Sequence, residues 1–561
     1  MNFRFPAAFF LCWVISAYPA LAQSVIDPAQ EFLKEQERKK KLQQLEKSQA
    51  GQELQTNKIK DEGPDKTCFA IKSINLSGVT LIKSWNVNRI TKTYLKKCMG
   101  QKAIKSLMQS ITNEYIKNGY ITSRVYIPKQ DLKSGILKIL VIEGTIEEIQ
   151  YQQLEGKKKT VKGPFSKMIT AFPQLKGAIL NLRDLEQGLD QINRLSSSSA
   201  SVDLLPGKKP GGSIILITEK KTNRFRAYVG FDNNGSESTG ENRARASIEM
   251  DDLLWINDSW NMSVLAAENT NILTAGLSIP YGRWTLSASG SYSENQQDLT
   301  LTSLLYNQTA STNVKLKRLV FRDAKTKINV SGSLSHYWNS RYINASQLTP
   351  IYRGAGRLSL GGETHGNGSV TSLDFGFGFG APWWFSKKPE GAGNGSPNYS
   401  FKKVDGTFYW IKAWKWGRII VNAHGQFSKD ELLSPDQLSI GGWDTVRGYH
   451  GAEAAGDKGG YWRNELVLNL PEMPKASLPH SIQSFYTKHK TKLQPYLFFD
   501  AGKVWNNATE TDAAMMGLGG GARLSTERLS LEASIGAPLL DIENIETDEW
   551  QAYINLTFKV F

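Results

Sequence analysis

Long apolar runs are missing from this chain: beyond the N-terminal segment nothing approaches the ~18 consecutive apolar residues that a membrane-spanning helix needs. That excludes a helical membrane protein. Cysteine is scarce, at three in 561 residues, and no Cys-x-x-Cys occurs, so neither a disulfide scaffold nor a cysteine metal site is expected. Six histidines show no His-Glu-x-x-His and no ligand spacing. A phosphate-binding Gly-x4-Gly-Lys-Ser/Thr is also absent. Gly517-Leu518-Gly519-Gly520-Gly521-Ala522 lacks the lysine and reads as strand text, and Gly-x-Ser-x-Gly survives only as the fragment Gly366-Asn367-Gly368-Ser369. The expectation is therefore no enzyme, no cofactor and no metal. A Ser/His or Asp/His pair assembled from distant segments stays open as an alternative.

The chain is too long for one compact domain, so several modules are expected. Residues 1–22 read as a cleavable secretory signal: Arg4, a mostly apolar stretch from Ala7 to Ala17, then Ala20-Leu21-Ala22 before Gln23. Cys12 goes with that signal and leaves Cys68 and Cys98 as one pair, expected to form a disulfide in an oxidising compartment. Closing a loop of about thirty residues stabilises a fold by roughly 3–4 kcal/mol in the chain-entropy picture. The net charge of +15 would suit nucleic acid, but no recognition helix or RNA-binding motif accompanies it. The basic residues are assigned instead to an aqueous lumen or to anionic lipid headgroups. An exported chain without a spanning helix either stays soluble or crosses a membrane as a barrel.

Residues 223–561 favour the barrel. Arg243, Arg245, Ser247 and Glu249 alternate with Ala244, Ala246, Ile248 and Met250, and Leu529, Leu531, Ala533 and Ile535 alternate with Ser530, Glu532 and Ser534. One apolar and one polar face, repeated in segments of about ten residues, mark a transmembrane antiparallel β-barrel. A soluble sandwich shares the period but needs larger side chains on its inner face. About 340 residues at roughly 20 per strand and connection predict about sixteen strands around a water-filled channel. Trp383-Trp384-Phe385, and Tyr409-Trp410 through Trp414-Lys415-Trp416, suit interfacial aromatic girdles, and Gly391 to Pro397 reads as an outer loop. The final strand, Ala552 to Phe561, puts Ile554, Leu556, Phe558 and Val560 on one face but Phe561 on the other, which leaves its register open.

Ahead of the barrel, residues 23–48 are expected to hold a helix that begins at Asp27-Pro28 and contains too few apolar residues to build a core. Twenty residues at ~1.5 Å each match the height of a membrane barrel's apolar band, so the helix is either a solvated leader or a plug in the lumen. Residues 49–66 read as a flexible linker. Residues 67–144 and 145–222 repeat one order of strand, two helices and two strands. The first unit is read as Phe69 to Leu76, Trp85 to Lys97, Lys102 to Lys117, Ile121 to Ile127 and Gly135 to Glu143. The bland alternative is any small α+β binding domain.

Val446-Arg447-Gly448-Tyr449 sits mid-way along a glycine-rich loop, and about fifty residues later comes Phe498-Phe499-Asp500-Ala501-Gly502. By strand alternation Phe498, Asp500 and Gly502 share a face, so Asp500 can point into a lumen and pair with Arg447. The first motif resembles the conserved loop, and the second its partner strand, of the two-partner secretion transporters, the FhaC/ShlB/CdiB-like outer-membrane proteins related to BamA. The β-α-α-β-β units resemble POTRA domains, and Leu180-Asn181-Leu182-Arg183-Asp184-Leu185-Glu186-Gln187-Gly188-Leu189 is similar to that family's second-POTRA signature. The resemblance implies two periplasmic POTRA domains and a plug helix ahead of the barrel, with a loop folded inward and pinned by Arg447 to Asp500. Gly448, Gly502, Gly519 and Gly520 would permit its close approach to the wall. It also implies a monomer in outer-membrane lipid and lipopolysaccharide. Its partner would be a large unfolded TpsA-type protein (adhesin, haemolysin or contact-dependent growth inhibition toxin), secreted without ATP, with no nucleic-acid partner. A BamA-like assembly factor is the alternative, and a porin a more distant one.

Overall fold

The computed structural model describes residues 27–48 and 67–561, apart from 96–97, 156–157, 162–164, 174–175, 238–239, 301, 388–398, 452–453, 471–490 and 543–547. The expected signal (1–22), the linker (49–66) and the loop from Gly391 to Pro397 lie outside the described residues.

From Phe225 onward each strand is antiparallel to its neighbour in sequence, until the last, Gln551–Lys559, pairs back onto the first, Phe225–Asp232. The ring has sixteen spanning strands; the two-residue piece Ser346–Gln347 only extends the hairpin of Thr326–Ile343. Alternation decides what each face meets. Ile248, Leu358, Leu373, Phe375 and Leu518 point outward and are exposed, an apolar band that is stable only against lipid. Arg243, Arg245 and Asp405 point inward, among groups that pair with them. The turns at 252–258 and 282–283 and the strand end at Arg322 abut the second α+β unit.

One reading of the barrel is corrected. Tyr409 does not belong to a girdle: it is buried inside the barrel, because it falls on the inward parity of Lys402–Trp414. The register left open for the final strand is given by its pairing, Phe558 opposite Val229 and Leu556 opposite Phe231. Ile554, Leu556 and Phe558 face lipid, and the backbone bonding continues to Phe561 O, which accepts from Ala227 N–H at 3.4 Å.

Helix α1 (Pro28–Lys47) starts where the aspartate–proline signal places it: Asp27 Oδ1 accepts from Ala29 N–H at 2.9 Å, and Pro28 occupies the first turn. In the first α+β unit, α2 (Ser84–Lys92) and α3 (Gln101–Lys117) cover a three-stranded sheet. There Ser73–Ser77 runs parallel to Ile136–Ile142, which is antiparallel to Arg124–Tyr126. Leu107, Ile111 and Tyr115 of α3 pack against Leu137, Ile139 and Val141, so the sheet's buried set is the odd-numbered one and Ile136 and Leu140 face out. Three expected elements are shorter than read. The strand from Phe69 breaks into Phe69–Ala70 and Ser73–Ser77, α2 stops at Lys92, and the strand from Ile121 contracts to Arg124–Tyr126. Cys68 and Cys98 are bonded, their Cα atoms 5.2 Å apart, beside the small ladder that pairs Ala70 with Cys98.

The second unit has a four-stranded sheet in the order Lys158–Val161, Thr145–Glu155, Gly212–Lys221, Ser198–Pro206. Helices α4 (Phe165–Ala171) and α5 (Leu182–Asn193) pack on it through Met168, Phe172, Leu185 and Ile192. Asn181 Oδ1 caps α5 by accepting from Arg183 N–H at 2.8 Å.

Candidate functional site

The long loop between Gly417–Ser428 and Lys458–Leu468 turns back into the barrel. A short hairpin, Leu438–Ile440 with Ala454–Gly456, stiffens its base. Val446 is buried with Leu438, Ile440, Tyr449, Val504 and Met515, and this apolar patch carries the next residue to the wall. Arg447 is fully buried. Its Nε donates to Asp500 Oδ2 at 2.6 Å and its Nη2 to Oδ1 at 3.0 Å, a two-point fork on one carboxylate. Nη1 donates to Glu465 Oε1 at 2.7 Å, and the guanidinium lies 3.8 Å over the Phe498 ring. Alternation along Lys492–Trp505 produces this geometry: Tyr496, Phe498 and Asp500 are buried inward while Leu497 and Phe499 are exposed outward.

The pair belongs to a larger ionic group. Glu465 also accepts from Arg523 Nη2 at 2.7 Å, Arg523 Nε donates to Glu532 at 2.7 Å, and Arg463 Nε lies 3.8 Å from Asp500 Oδ2. Three guanidinium groups therefore meet three carboxylates, a balance that buried charge requires.

Around the tip the backbone is closely fitted. Gly448 has φ +104° and donates its N–H to Tyr553 Oη at 2.9 Å; that hydroxyl donates to Tyr449 O at 2.7 Å. The Tyr449 hydroxyl reaches Leu540 O at 2.8 Å and accepts from Met516 N–H at 3.1 Å. A Cβ on Gly502 would lie 3.0 Å from Val446 Cγ2, and one on Gly517 only 1.7 Å from Arg447 O. Of the glycines picked from sequence, Gly502 meets the loop. Gly519 makes room for the Phe498 ring, whereas Gly520 faces Leu497 and plays no part in the tip's approach.

Helix α1 occupies the lumen beside this loop. Ala29 and Phe32 near its start touch Leu265 and Ile272, while Leu45 near its end packs among Tyr409, Ile420, Tyr496 and Phe498. Most of its other anchors are ionic. Glu35 meets Arg243 at 3.1 Å and Arg245 at 3.5 Å, Glu46 meets Arg418 at 3.3 Å, and Arg38 pairs with Asp444 of the inward loop.

The chain's resemblances fit this geometry. The model of the haemolysin secretion/activation protein family ShlB/FhaC/HecB matches residues 211–524. The chain belongs to that family. A ShlB-type POTRA domain matches residues 69–144 and a second POTRA model residues 145–206. The outer membrane transporter CdiB of Dickeya dadantii (strain 3937) is 27% identical over 94% of both chains. CdiB-2 of Burkholderia pseudomallei (strain 1026b) is 30% identical, over 73% of this chain and 69% of its own length. The hemolysin transporter HpmB of Proteus mirabilis is 28% identical over 78% of this chain and 76% of its own. The fold is that of the solved CdiB from Escherichia coli, with a TM-score of 0.84 over 95% of this chain and 99% of that one, at 24% identity. This is a two-partner secretion transporter: its barrel lies in the outer membrane, its POTRA domains lie in the periplasm, and it translocates a partner protein.

Sequence reading missed how the second POTRA domain is fastened. The Asn181-to-Leu189 run forms the N-terminal part of the docking helix α5. Gln187 and Gln191 donate to Gly282 O, Asp190 takes Arg322 at 2.6 Å and Lys327 at 2.7 Å, and Asp184 takes Arg283 at 2.6 Å. Beneath it Lys167 is wholly buried between Glu219 at 2.8 Å and Asp252 at 3.1 Å, the latter a barrel residue. The signal was present as Asp184 in the first turn and Glu186 and Asp190 one turn apart, but their basic partners lie 99 to 137 positions away. Glu465 was missed for the same reason.

Proposed function

We propose that this transporter recognises a large, unfolded TpsA-type partner with its POTRA domains and secretes it through the barrel pore as a monomer, without ATP. The supporting observation is the manner in which the pore is filled. The barrel wall is bonded all round, while α1 is held largely by ion pairs that water or a passing polypeptide can replace. Displacing α1 leaves the wall and the pinned loop intact and opens a polar channel. Arg447 and Asp500 pin the loop in the transport-competent position. In the periplasm, Ser198–Pro206 and Lys158–Val161 are the edges of the second sheet, and Ser73–Ser77 and Arg124–Tyr126 those of the first. An extended peptide adds to such an edge through main-chain hydrogen bonds, which tolerate many sequences. The partner is an adhesin, a haemolysin or a contact-dependent growth inhibition toxin, and the CdiB relatives favour the last.

The test is reconstitution. The transporter in liposomes, with POTRA domains facing the added protein and no nucleotide present, should import the N-terminal part of the exoprotein encoded beside it and protect it from protease. No protection, or protection only with ATP, would overturn the reading. Loss of unrelated barrels from cells depleted of this chain would favour an assembly factor instead.

A further inference from the structure

One residue past the buried Tyr449 the inward loop regains the extracellular rim, and there His450 stands among carboxylates from two other loops. Its Nδ1 is 3.0 Å from Glu241 Oε1; its Nε2 is 3.0 Å from Asp548 Oδ2 and 3.9 Å from Glu237 Oε1. Glu237 and Glu241 follow the first barrel strand, and Asp548 precedes the last. Those two strands share a ladder of five residue pairs, against eight between the first strand and its other neighbour. The ring is mostly buried, with 16% of its side chain exposed. A neutral imidazole carries one N–H. It can satisfy one facing carboxylate, and then it turns a lone pair toward the others. Three carboxylates around a single ring also leave negative charge that the ring does not balance. Glu237, Glu241 and His450 form the one group of potential metal-ligating side chains, among the described residues, whose ligand atoms lie within 4.8 Å of one another.

We propose that His450 Nδ1, Glu237 and Glu241 bind a divalent transition-metal ion of the zinc class, with Asp548 accepting from Nε2–H at 3.0 Å to orient the ring. Tetrahedral zinc with bonds of ~2.0–2.1 Å spaces its ligand atoms at ~3.3 Å, and Nδ1 lies 3.0 Å from Glu241 Oε1, close to that spacing. A carboxylate behind the ligating histidine is the usual second partner of such a site. Imidazole with carboxylates suits zinc, whereas calcium and magnesium prefer oxygen alone. The ion would join the loop after the first strand to the inward loop, and the Asp548 hydrogen bond would tie in the segment before the last strand. It would brace the barrel's shortest-paired seam and the arginine loop together. The inference does not depend on which partner is secreted.

The experiment uses the full-length chain in detergent, without a polyhistidine tag, stripped with chelator and titrated with Zn2+ against a chromophoric competitor. Heat-modifiable electrophoretic mobility serves as the check that each barrel is folded. One zinc per wild-type chain is expected. His450→Ala should abolish that binding, and the conservative Asp548→Asn, which leaves the three ligands in place, should weaken it about 10–100-fold. Three results would overturn the site. The folded wild type takes up no stoichiometric zinc, or the His450→Ala variant binds it as tightly, or Ca2+ or Mg2+ competes on equal terms. A fourth is loop ordering by acid alone, with chelator present and no further effect of zinc; His450 would then be a plain imidazolium ion pair.

Discussion

Arg447 Nε and Asp500 Oδ2 lie 2.6 Å apart although 53 positions separate them in the chain, and both side chains are fully buried. Removing one member strands the other charge in a desolvated place, which typically costs about 3–5 kcal/mol. Replacing Arg447 with alanine should therefore release the loop and cut secretion of the partner at least tenfold. Heat-modifiable mobility of the barrel should persist, because no barrel ladder depends on the loop. Normal secretion by that variant would remove the loop lock from the mechanism.

Gly517 supplies an independent probe of the same contact. A methyl group there would collide with Arg447 O, whereas one on Gly520 would meet Leu497 Cδ2 and Tyr496 O at 3.1–3.2 Å. Gly517→Ala should reproduce the secretion defect of Arg447→Ala, and Gly520→Ala should secrete close to wild type. Equal behaviour of the two in a secretion assay would contradict the tip's position.

Planar-bilayer recordings test the plug. Deleting residues 27–47 should raise single-channel conductance several-fold, since α1 fills the lumen from Ala29 to Leu45. Glu35→Gln weakens the pairing with Arg243 and Arg245 without removing the helix. It should raise the frequency of open events and leave the full open conductance unchanged.

Lys167 holds the periplasmic junction together. Lys167→Met keeps the bulk but leaves Glu219 and Asp252 facing one another, with Lys221, 3.4 Å from Asp252, the remaining cation paired to either among the described residues. The junction should lose about 3–5 kcal/mol. Trypsin should then cut between the POTRA domains and the barrel much faster than in the wild type. Unchanged cleavage would show that α5 docking suffices.

Glu143 predicts acid sensitivity in the first POTRA domain. Burial disfavours its charged form, but donors from Thr80, Tyr115 and Leu81 outweigh that and hold its carboxyl below the usual glutamate range. The Thr80 and Leu81 N–H groups reach it at 2.7 and 3.0 Å, and the Tyr115 hydroxyl at 2.8 Å. A depressed carboxylate contributes stability that is complete above its unfolded pKa of ~4.3 and is lost as pH falls through the lower folded value. Amide exchange in residues 67–144 of the full chain should therefore accelerate below about pH 4. In Glu143→Gln it should already be fast at pH 7, with little further change on acidification.

Much of the site was legible before any coordinates. Alternation alone put Asp500, Phe498 and Gly502 on one inward face, and the glycine-flanked Val446-Arg447-Gly448-Tyr449 announced a loop able to approach the wall. What was not legible is the company this pair keeps. Glu465, Arg523 and Glu532 look like ordinary lumen-facing charges on three separate strands, and only the register of neighbouring strands sets them side by side. Tyr409 was misplaced because an aromatic beside tryptophan suits a girdle equally well until the strand's register is known.

The local pattern by itself determined the strand periodicity, the barrel class and the helix start at Asp27-Pro28, because each rests on neighbours within a few residues. Segment length determined the approximate strand number, and the cysteine pair followed because Cys68 and Cys98 are the two cysteines beyond the expected signal. Tertiary structure alone decided that α1 lies inside the lumen, that α5 docks on the barrel's periplasmic turns and that six charges balance around Arg447. Ionic partners are chosen by distance in space, and a closed sheet brings together residues whose separation along the chain carries no trace of that choice.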